Sequence, residues 1–268
     1  MKKTLPDGIK QLLNKVPEVT LYFWIIKIMA TTVGETAADF LNVNLHFGLS
    51  GTSVVMSAIL IVFLFIQIRA KKYTPSLYWL AVVLISVVGT LLTDNLVDNF
   101  GVSLEATTIA FSIALLATFS VWYASEKTLS IHSIFTLKRE LFYWAAILFT
   151  FALGTAAGDL VAEGASLGYA NSTLLFGALI GGVTIAYYGF RLNAVPAFWI
   201  AYILTRPLGA SLGDYLSQPL ANGGIGLGTT ATSALFLATI LGLVTYLTFI
   251  RRNVTDNAAG DTICTRLP

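Results

Sequence analysis

The chain has 268 residues, of which 56% are apolar and 11% charged, with a formal net charge of +2. Soluble domains usually carry about 25% charged residues, so this chain lacks the charge to coat a water-facing surface. Its single cysteine, Cys264, excludes an intrachain disulfide, and its short basic loops give no footing for nucleic-acid binding.

Residues 1–19 are polar and basic, with Lys2, Lys3, Lys10 and Lys15. They lack the apolar core and cleavage site of a secretory signal, so none is expected. About 20 apolar residues span a bilayer as helix, and such stretches recur from there on. They predict eight transmembrane helices at 20–42, 50–68, 77–98, 104–124, 141–162, 170–190, 197–218 and 228–250, forming one transmembrane domain over 20–252. A tail of 253–268 follows. The fold class is an all-α polytopic membrane protein with no room for a separate soluble domain.

Charge fixes the expected orientation. Arg69, Lys71 and Lys72 lie between the second and third spans, and Lys127, Lys138 and Arg139 between the fourth and fifth. Arg191 lies between the sixth and seventh, and Arg251, Arg252 and Arg266 follow the last. The other four loops hold no Lys or Arg. Positive residues stay in the cytoplasm, so both termini are expected there, and only an even number of spans preserves the alternation.

A repeat is legible in the same spans. Trp24, Gly34 and Asp39 are followed at the same spacing by Trp79, Gly89 and Asp94, by Trp144, Gly154 and Asp159, and by Trp199, Gly209 and Asp214. The copies are 55, 65 and 55 residues apart. Such a fixed period marks an internal repeat, here with units at about 20–70, 75–126, 140–191 and 195–252. Each unit has two spans, so all four are expected to run parallel, in pseudo-four-fold or pseudo-two-fold symmetry. A weaker echo places Thr52, Thr107 and Ser172 each 13 residues after the motif aspartate, and Thr229 15 after it in the fourth copy.

On these motifs the chain resembles the bacterial membrane-anchored proteins of unknown function that are defined by four tandem repeats, each with two transmembrane segments and a tryptophan. The resemblance covers roughly 20–250, with Trp24, Trp79, Trp144 and Trp199 as the family's characteristic residue. It implies a bacterial inner membrane as the location and brings no activity, so function is argued from the residues.

The first helix of each unit carries the acids: Glu35 and Asp39, Asp94 and Asp98, Asp159 and Glu163, then Asp214. An Asp at the centre of a span costs about 2.5–3.5 kcal/mol on insertion scales. These four helices are therefore expected inside, facing one another, with the second helices outside against lipid. Each aspartate lies 15 residues beyond its tryptophan, or roughly 22 Å along an ideal helix. With the tryptophans as anchors at the cytoplasmic interface, the acids sit in the outer half, and Asp98 and Glu163 at an outer vestibule. Two cations also lie in spans. Lys27 is expected to reach back to the cytoplasmic headgroups, and Arg206, followed by Pro207, to pair with a carboxylate from a neighbouring helix.

Seven carboxylates face these two cations, and such an excess must protonate, pair or bind cations. Negative rings build cation pathways. The donors are oxygens: carboxylates, hydroxyls, Asn95 and backbone carbonyls. His46 and His132 fall in loops, and Met29 and Met56 are isolated. Hard oxygen sites suit Mn²⁺, Mg²⁺ or protons rather than copper(I) or zinc.

The leading expectation is thus a transporter, not an enzyme, that moves a hard divalent cation, Mn²⁺-like in type, with proton exchange as the coupling. Its metal ligands are expected to be Asp39, Asp94, Asp159, Asp214 and Glu35. Asp98, Glu163, Arg206, Lys27, Thr52, Thr107 and Ser172 are expected along the pathway. No resident cofactor is expected. Its partners are lipids and the transported ion, and self-association is left open. The alternatives are a proton-coupled transporter of a small organic solute and a scaffold or sensor. The Gly158-Asp159 and Gly213-Asp214 pairs resemble those of intramembrane aspartyl proteases, but the repeat explains them more simply.

Overall fold

A computed structural model describes residues 14–44, 48–70 and 72–264, without the side chains of 43, 44 and 251–264. Lys2, Lys3, Lys10, Lys71, His46 and Arg266 lie outside the described residues, as do the side chains of Arg251, Arg252 and Cys264.

Eight long helices follow one another among the described residues: α1 Leu21–Asp39, α2 Gly48–Arg69, α3 Pro75–Asp94, α4 Leu104–Glu126, α5 Leu137–Asp159, α6 Tyr169–Phe190, α7 Ala194–Ser217 and α8 Thr229–Cys264. Their starts are written locally. The side chains of Thr20, Ser103, Thr136 and Asn193 accept a first-turn backbone N–H of α1, α4, α5 and α7, and Pro75 opens α3, where its missing N–H costs nothing. Six helices are long and apolar enough to cross a membrane: α2, α3, α4, α5, α6 and α8. The chain is on this ground a multi-pass membrane protein. The remaining two, α1 and α7, are those that hold Lys27 and Arg206.

The odd-numbered helices form an inner ring, with α1 against α3, α3 against α5, α5 against α7 and α7 back against α1. The even-numbered helices lie outside. Each packs on the inner helix of the next repeat: α2 on α3, α4 on α5, α6 on α7, and α8 on α1. Burial follows this division. In the apolar stretches of α2, α4, α6 and α8, 11%, 11%, 6% and 11% of residues are buried, against 61% and 56% for α3 and α5. Exposed Leu116, Ile113, Leu174 and Leu241 on the outer helices are the surface that lipid would cover.

Equivalent contacts repeat around the ring. Phe23 meets Trp79, Tyr78 meets Trp144, Tyr143 meets Trp199, and Phe198 meets Trp24, with ring centroids 5.5, 5.6, 6.3 and 5.7 Å apart. Each aromatic residue thus touches the tryptophan of the next copy, and the fourth copy touches the first. The motif glycines follow the same rule. Gly34 abuts Ser86, Gly89 abuts Phe151, Gly154 abuts Arg206, and Gly209 abuts Thr31. A Cβ on any of them would run into its neighbour, so glycine is what lets the inner helices approach this closely.

The tryptophans correct an expectation. Trp79, Trp144 and Trp199 are only 2%, 4% and 4% exposed, and Trp24 is partly buried. They are not interface anchors. They form an aromatic layer that fills one end of the inner ring. At that same end Lys15 Nζ bonds Glu140 Oε2 at 2.6 Å and the Ile68 carbonyl at 2.8 Å, which pins the segment before α1 to the ends of α2 and α5.

Candidate functional site

Positions four residues apart on the inner helices stack into layers running away from the aromatic end. At the first layer stand Lys27, Val82, Ile147 and Tyr202, then Thr31, Ser86, Phe151 and Arg206, then Glu35, Thr90, Thr155 and Ala210. The motif aspartates Asp39, Asp94, Asp159 and Asp214 form the next layer. Residues four apart share a helix face, and the cross-helix bonds join these same layers.

Arg206 sits at the centre of this stack and is fully buried. Its Nη2 donates to Glu35 Oε2 at 3.3 Å, to Thr155 Oγ1 at 2.6 Å and to Thr90 Oγ1. Its Nη1 donates to the Thr31 carbonyl at 2.9 Å and its Nε to the Phe151 carbonyl at 3.2 Å. Thr90 also donates to Glu35 Oε2 at 3.2 Å. The expected carboxylate partner from a neighbouring helix is therefore Glu35 on α1. The guanidinium fork, with its five N–H donors, is held by all three other inner helices.

Lys27 departs from expectation. It does not reach the headgroups: it is fully buried, because its stem points into the ring. Its Nζ donates to Thr31 Oγ1 at 3.2 Å and lies 4.0 and 4.3 Å from the ring centroids of Phe151 and Tyr202. Among the described residues no carboxylate is within ion-pair distance of it. The cation–π faces are its compensation.

Beyond Arg206 the acids come together. Glu35 lies within electrostatic range of Asp39, Asp94, Asp159 and Asp214. Asp39 also interacts with Asp98 and Glu163, and Asp94 with Asp159. Arg206 interacts with Asp94, Asp159 and Asp214 as well as Glu35. Asp214 and Glu35 are buried, Asp39, Asp94 and Asp159 are half-buried, and Asp98 and Glu163 are exposed at the mouth. Tyr169 donates to Glu163 at 2.9 Å. The carboxylates form an electrostatically linked set rather than a chelating cluster: among the described residues no three His, Cys, Asp or Glu are gathered closely enough to hold a metal ion.

The backbone changes just after the motif aspartate. A π-helical turn follows it in three copies, at Phe40–Asn44, Asn95–Asn99 and Leu160–Gly164. Such turns are rare and frequent at functional sites. In the second copy the turn is tied to α2, where Asn95 Nδ2 donates to Ser53 Oγ at 2.6 Å. In the fourth copy α7 instead ends at Ser217, and the longer connection folds back so that Ile225 N–H bonds the Tyr215 carbonyl at 2.8 Å.

The hydroxyls of the outer helices are Thr52, Thr107 and Ser172, 1%, 1% and 0% exposed, and the fourth is Thr232, 1% exposed, not Thr229. Thr232 is the fourth residue of α8, as Thr107 is of α4 and Ser172 of α6. The longer connection shifts the register. None of these four hydroxyls has a hydrogen-bond partner within the described protein, whereas buried polar groups are partnered as a rule.

Thr90, Thr155, Thr31 and the Tyr78–Tyr143 hydroxyl pair, 2.5 Å apart, escaped the reading of the sequence. Their signal was there: superposing the four repeats puts Thr90 and Thr155 in register with Glu35, and Thr31 in register with Arg206. His132 lies exposed in a short turn at Ile131–Ser133, away from the acids on the opposite side of the aromatic layer.

No curated protein and no solved structure matches the chain. The family model described as Repeat of Unknown Function (DUF347) matches four times, over residues 22–73, 77–128, 142–193 and 197–253, in register with the four Trp-Gly-Asp copies, and the chain belongs to that family.

Proposed function

We propose that the chain is a transporter of a hard divalent cation, Mn²⁺ or Mg²⁺ in type, exchanged for protons at the acidic end of the inner ring. The observation that carries this reading is the electrostatic convergence of Glu35 with Asp39, Asp94, Asp159 and Asp214. Four further buried hydroxyls, Thr52, Thr107, Ser172 and Thr232, have no hydrogen-bond partner among the described residues. Mg²⁺-like ions shed water reluctantly and are held by one or two carboxylates through a partial hydration shell. A linked but open set of acids accommodates such an ion without three carboxylates in contact.

In this reading all eight helices cross the inner membrane of a bacterium. The repeats run parallel, both termini are cytoplasmic, and the acids face outward. The in-register contacts around the ring support it, since Tyr78 pairs with Tyr143 and Thr90 with Thr155, residues at equivalent places in their repeats. Burial of Lys27 and Arg206 between α1, α5 and α7 removes the main objection to counting α1 and α7 as spans, because neither charge meets lipid. The other reading is a small organic solute as cargo, coupled to protons, and the absence of a chelating cluster among the described residues is the observation in its favour.

Flux into proteoliposomes tests this. Asp94→Asn and Asp159→Asn keep size but remove charge, and each is expected to abolish Mn²⁺ flux in protein that still folds. Protons compete for carboxylates, so wild-type flux at limiting Mn²⁺ falls as pH falls. Normal flux in both variants excludes the acidic site, and flux of an organic solute without Mn²⁺ flux selects the other reading. Reporter fusions after Arg139 and Arg191 are expected to report cytoplasm in the same strains, and an external signal from either overturns the parallel eight-span arrangement.

A further inference from the structure

The group that fills the centre of the ring is itself a cation. The Arg206 guanidinium is surrounded by oxygen: one carboxylate from Glu35, the hydroxyls of Thr90 and Thr155, and the carbonyls of Thr31 and Phe151. These are the donor types that a hard cation takes. The equivalent positions in the other copies hold Thr31, Ser86 and Phe151, none of them charged. The charge is thus a singular addition to a repeated scaffold, rooted two helical turns below the ring of aspartates, with its guanidinium reaching Glu35 in the layer between. It shares Glu35 with that ring, because Glu35 both bonds Arg206 and interacts with all four motif aspartates.

Two features shape the place of this residue. Gly154 leaves the space into which the Arg206 side chain packs, and a Cβ there would meet the Arg206 Cβ and Cγ. Pro207 follows at once, inside α7. Proline has no N–H to return to the carbonyl four residues back, at Ile203, and its ring crowds that carbonyl. The α7 ladder is therefore interrupted at the turn that carries Arg206, and helices bend at such points.

We propose that Arg206 is a built-in competitor for the transported cation: its guanidinium occupies an oxygen cage centred on Glu35, and a cation arriving from the aspartate ring gains Glu35 only by displacing it. The inference rests on the cation reading above and adds to it the residue that sets affinity and closes the path. With Arg206 in place, Glu35 is neutralised and the space between the aspartates and the buried Lys27 is filled. With Arg206 displaced, Glu35, Thr90 and Thr155 face the incoming ion. A tethered cation also explains why the site need not be loaded to keep Glu35 paired inside the ring. A purely structural Arg206 would hold the helices together, and its charge beside Asp94, Asp159 and Asp214 would weaken cation binding without giving way to the ion.

Both roles predict tighter binding once the charge is removed, so what separates them is whether a free guanidinium ion and Mn²⁺ exclude each other. The experiment measures Mn²⁺ binding to purified full-length protein in detergent, by electron paramagnetic resonance of the free ion. Arg206→Ala is expected to bind Mn²⁺ about tenfold more tightly than wild type, a change of about 1.4 kcal/mol. Adding guanidinium chloride in the millimolar range to Arg206→Ala is expected to weaken Mn²⁺ binding in proportion to its concentration, as direct competition for the cage requires, with little effect on wild type; a plateau in that weakening means that guanidinium and Mn²⁺ sit side by side and overturns the competitor. Arg206→Lys keeps the charge but loses the fork that reaches three oxygens at once, and is expected to tighten binding by a smaller factor. It carries the test should the alanine variant fail to fold. Unchanged or weaker Mn²⁺ binding in a folded Arg206→Ala or Arg206→Lys protein overturns the competitor. If wild type binds Mn²⁺ and only the variants fail to tighten, this inference falls alone. If wild type and the folded variants all bind no Mn²⁺, the cation reading falls and this inference with it.

Discussion

The aspartate layer and the layer one helical turn below it are built from the same four helices, yet they obey opposite rules. In the aspartate layer every copy carries the same residue: Asp39, Asp94, Asp159 and Asp214. One turn below, the copies read Glu35, Thr90, Thr155 and Ala210, and a further turn down Thr31, Ser86, Phe151 and Arg206. Repetition gives a rim of four identical acids. Its loss below gives one acid, one guanidinium and two hydroxyls that bond one another. The rim keeps the symmetry of the fold, and the centre has been specialised away from it. A four-fold scaffold with a single ion pair at its heart does not have four equivalent sites, whatever its outer rim suggests.

This comparison can be broken most directly at Glu35. Among the described residues Glu35 is the only carboxylate within ion-pair distance of Arg206. Removing one partner of a buried pair leaves an uncompensated charge and costs about 3–5 kcal/mol. Glu35→Ala is therefore expected to lower the unfolding temperature in detergent sharply, while Asp39→Asn on the half-buried rim barely changes it. The double variant Glu35→Ala with Arg206→Met removes both charges and is expected to recover much of the loss. Equal costs for Glu35→Ala and Asp39→Asn would erase the distinction between rim and centre.

A smaller effect sharpens the division between inner ring and outer helices. A Cβ at Gly89 would lie 2.7 Å from the Phe151 Cβ and 3.1 Å from the Ala152 backbone nitrogen, and backbone cannot step aside. Gly182 on α6 has nothing within 4 Å. Overpacking a close contact typically costs about 1–3 kcal/mol. Gly89→Ala is expected to fall in that range in a chemical or thermal melt, and Gly182→Ala to be neutral or slightly stabilising, since alanine is the better helix former. A destabilised Gly182→Ala would mean that α6 meets a partner on that face.

Much of this arrangement was legible in the sequence. Seven of the eight long helices fall within a few residues of the expected spans, because runs of apolar residues and clusters of Lys and Arg are local signals; α8 instead continues as helix to Cys264, past the expected end at 250 and through most of the expected tail. The inner place of the acid-bearing helices followed from the cost of showing Asp to lipid, and α1, α3, α5 and α7 do form the ring. What was not legible concerns neighbours. A tryptophan near a helix end has the same composition signal whether it faces headgroups or another helix, and Trp79, Trp144 and Trp199 turned inward. Lys27 has a stem long enough to snorkel, and only the packing of Phe151 and Tyr202 shows that it does not. The π-turns after the aspartates leave no mark in composition. The fourth hydroxyl moved from Thr229 to Thr232 because the loop before α8 is longer, and counting from the aspartate cannot see how a loop folds back.

The smallest expected effect lies at the aromatic end, and there the chain carries its own control. Tyr78 and Tyr143 are fully buried, and their hydroxyls are 2.5 Å apart, while the equivalent residues in the first and fourth copies are Phe23 and Phe198. The layer thus tolerates phenylalanine at two of its four places, so shape does not require the hydroxyls. Tyr78→Phe removes one hydroxyl and strands the other in a buried, aromatic setting. Leaving such a group unpaired costs about 1–3 kcal/mol in soluble proteins, and hydrogen bonds measured between membrane helices average about 0.6 kcal/mol, so a loss near 1 kcal/mol is expected. Replacing both partners by apolar groups of the same shape can be nearly neutral. The double variant Tyr78→Phe with Tyr143→Phe is therefore expected to be more stable than either single variant in a thermal melt, with Mn²⁺ flux unchanged. If the double variant instead loses the sum of the singles, each hydroxyl acts independently of the other. If it loses flux while keeping its stability, the aromatic layer belongs to the transport path, and the contrast with the specialised centre no longer holds.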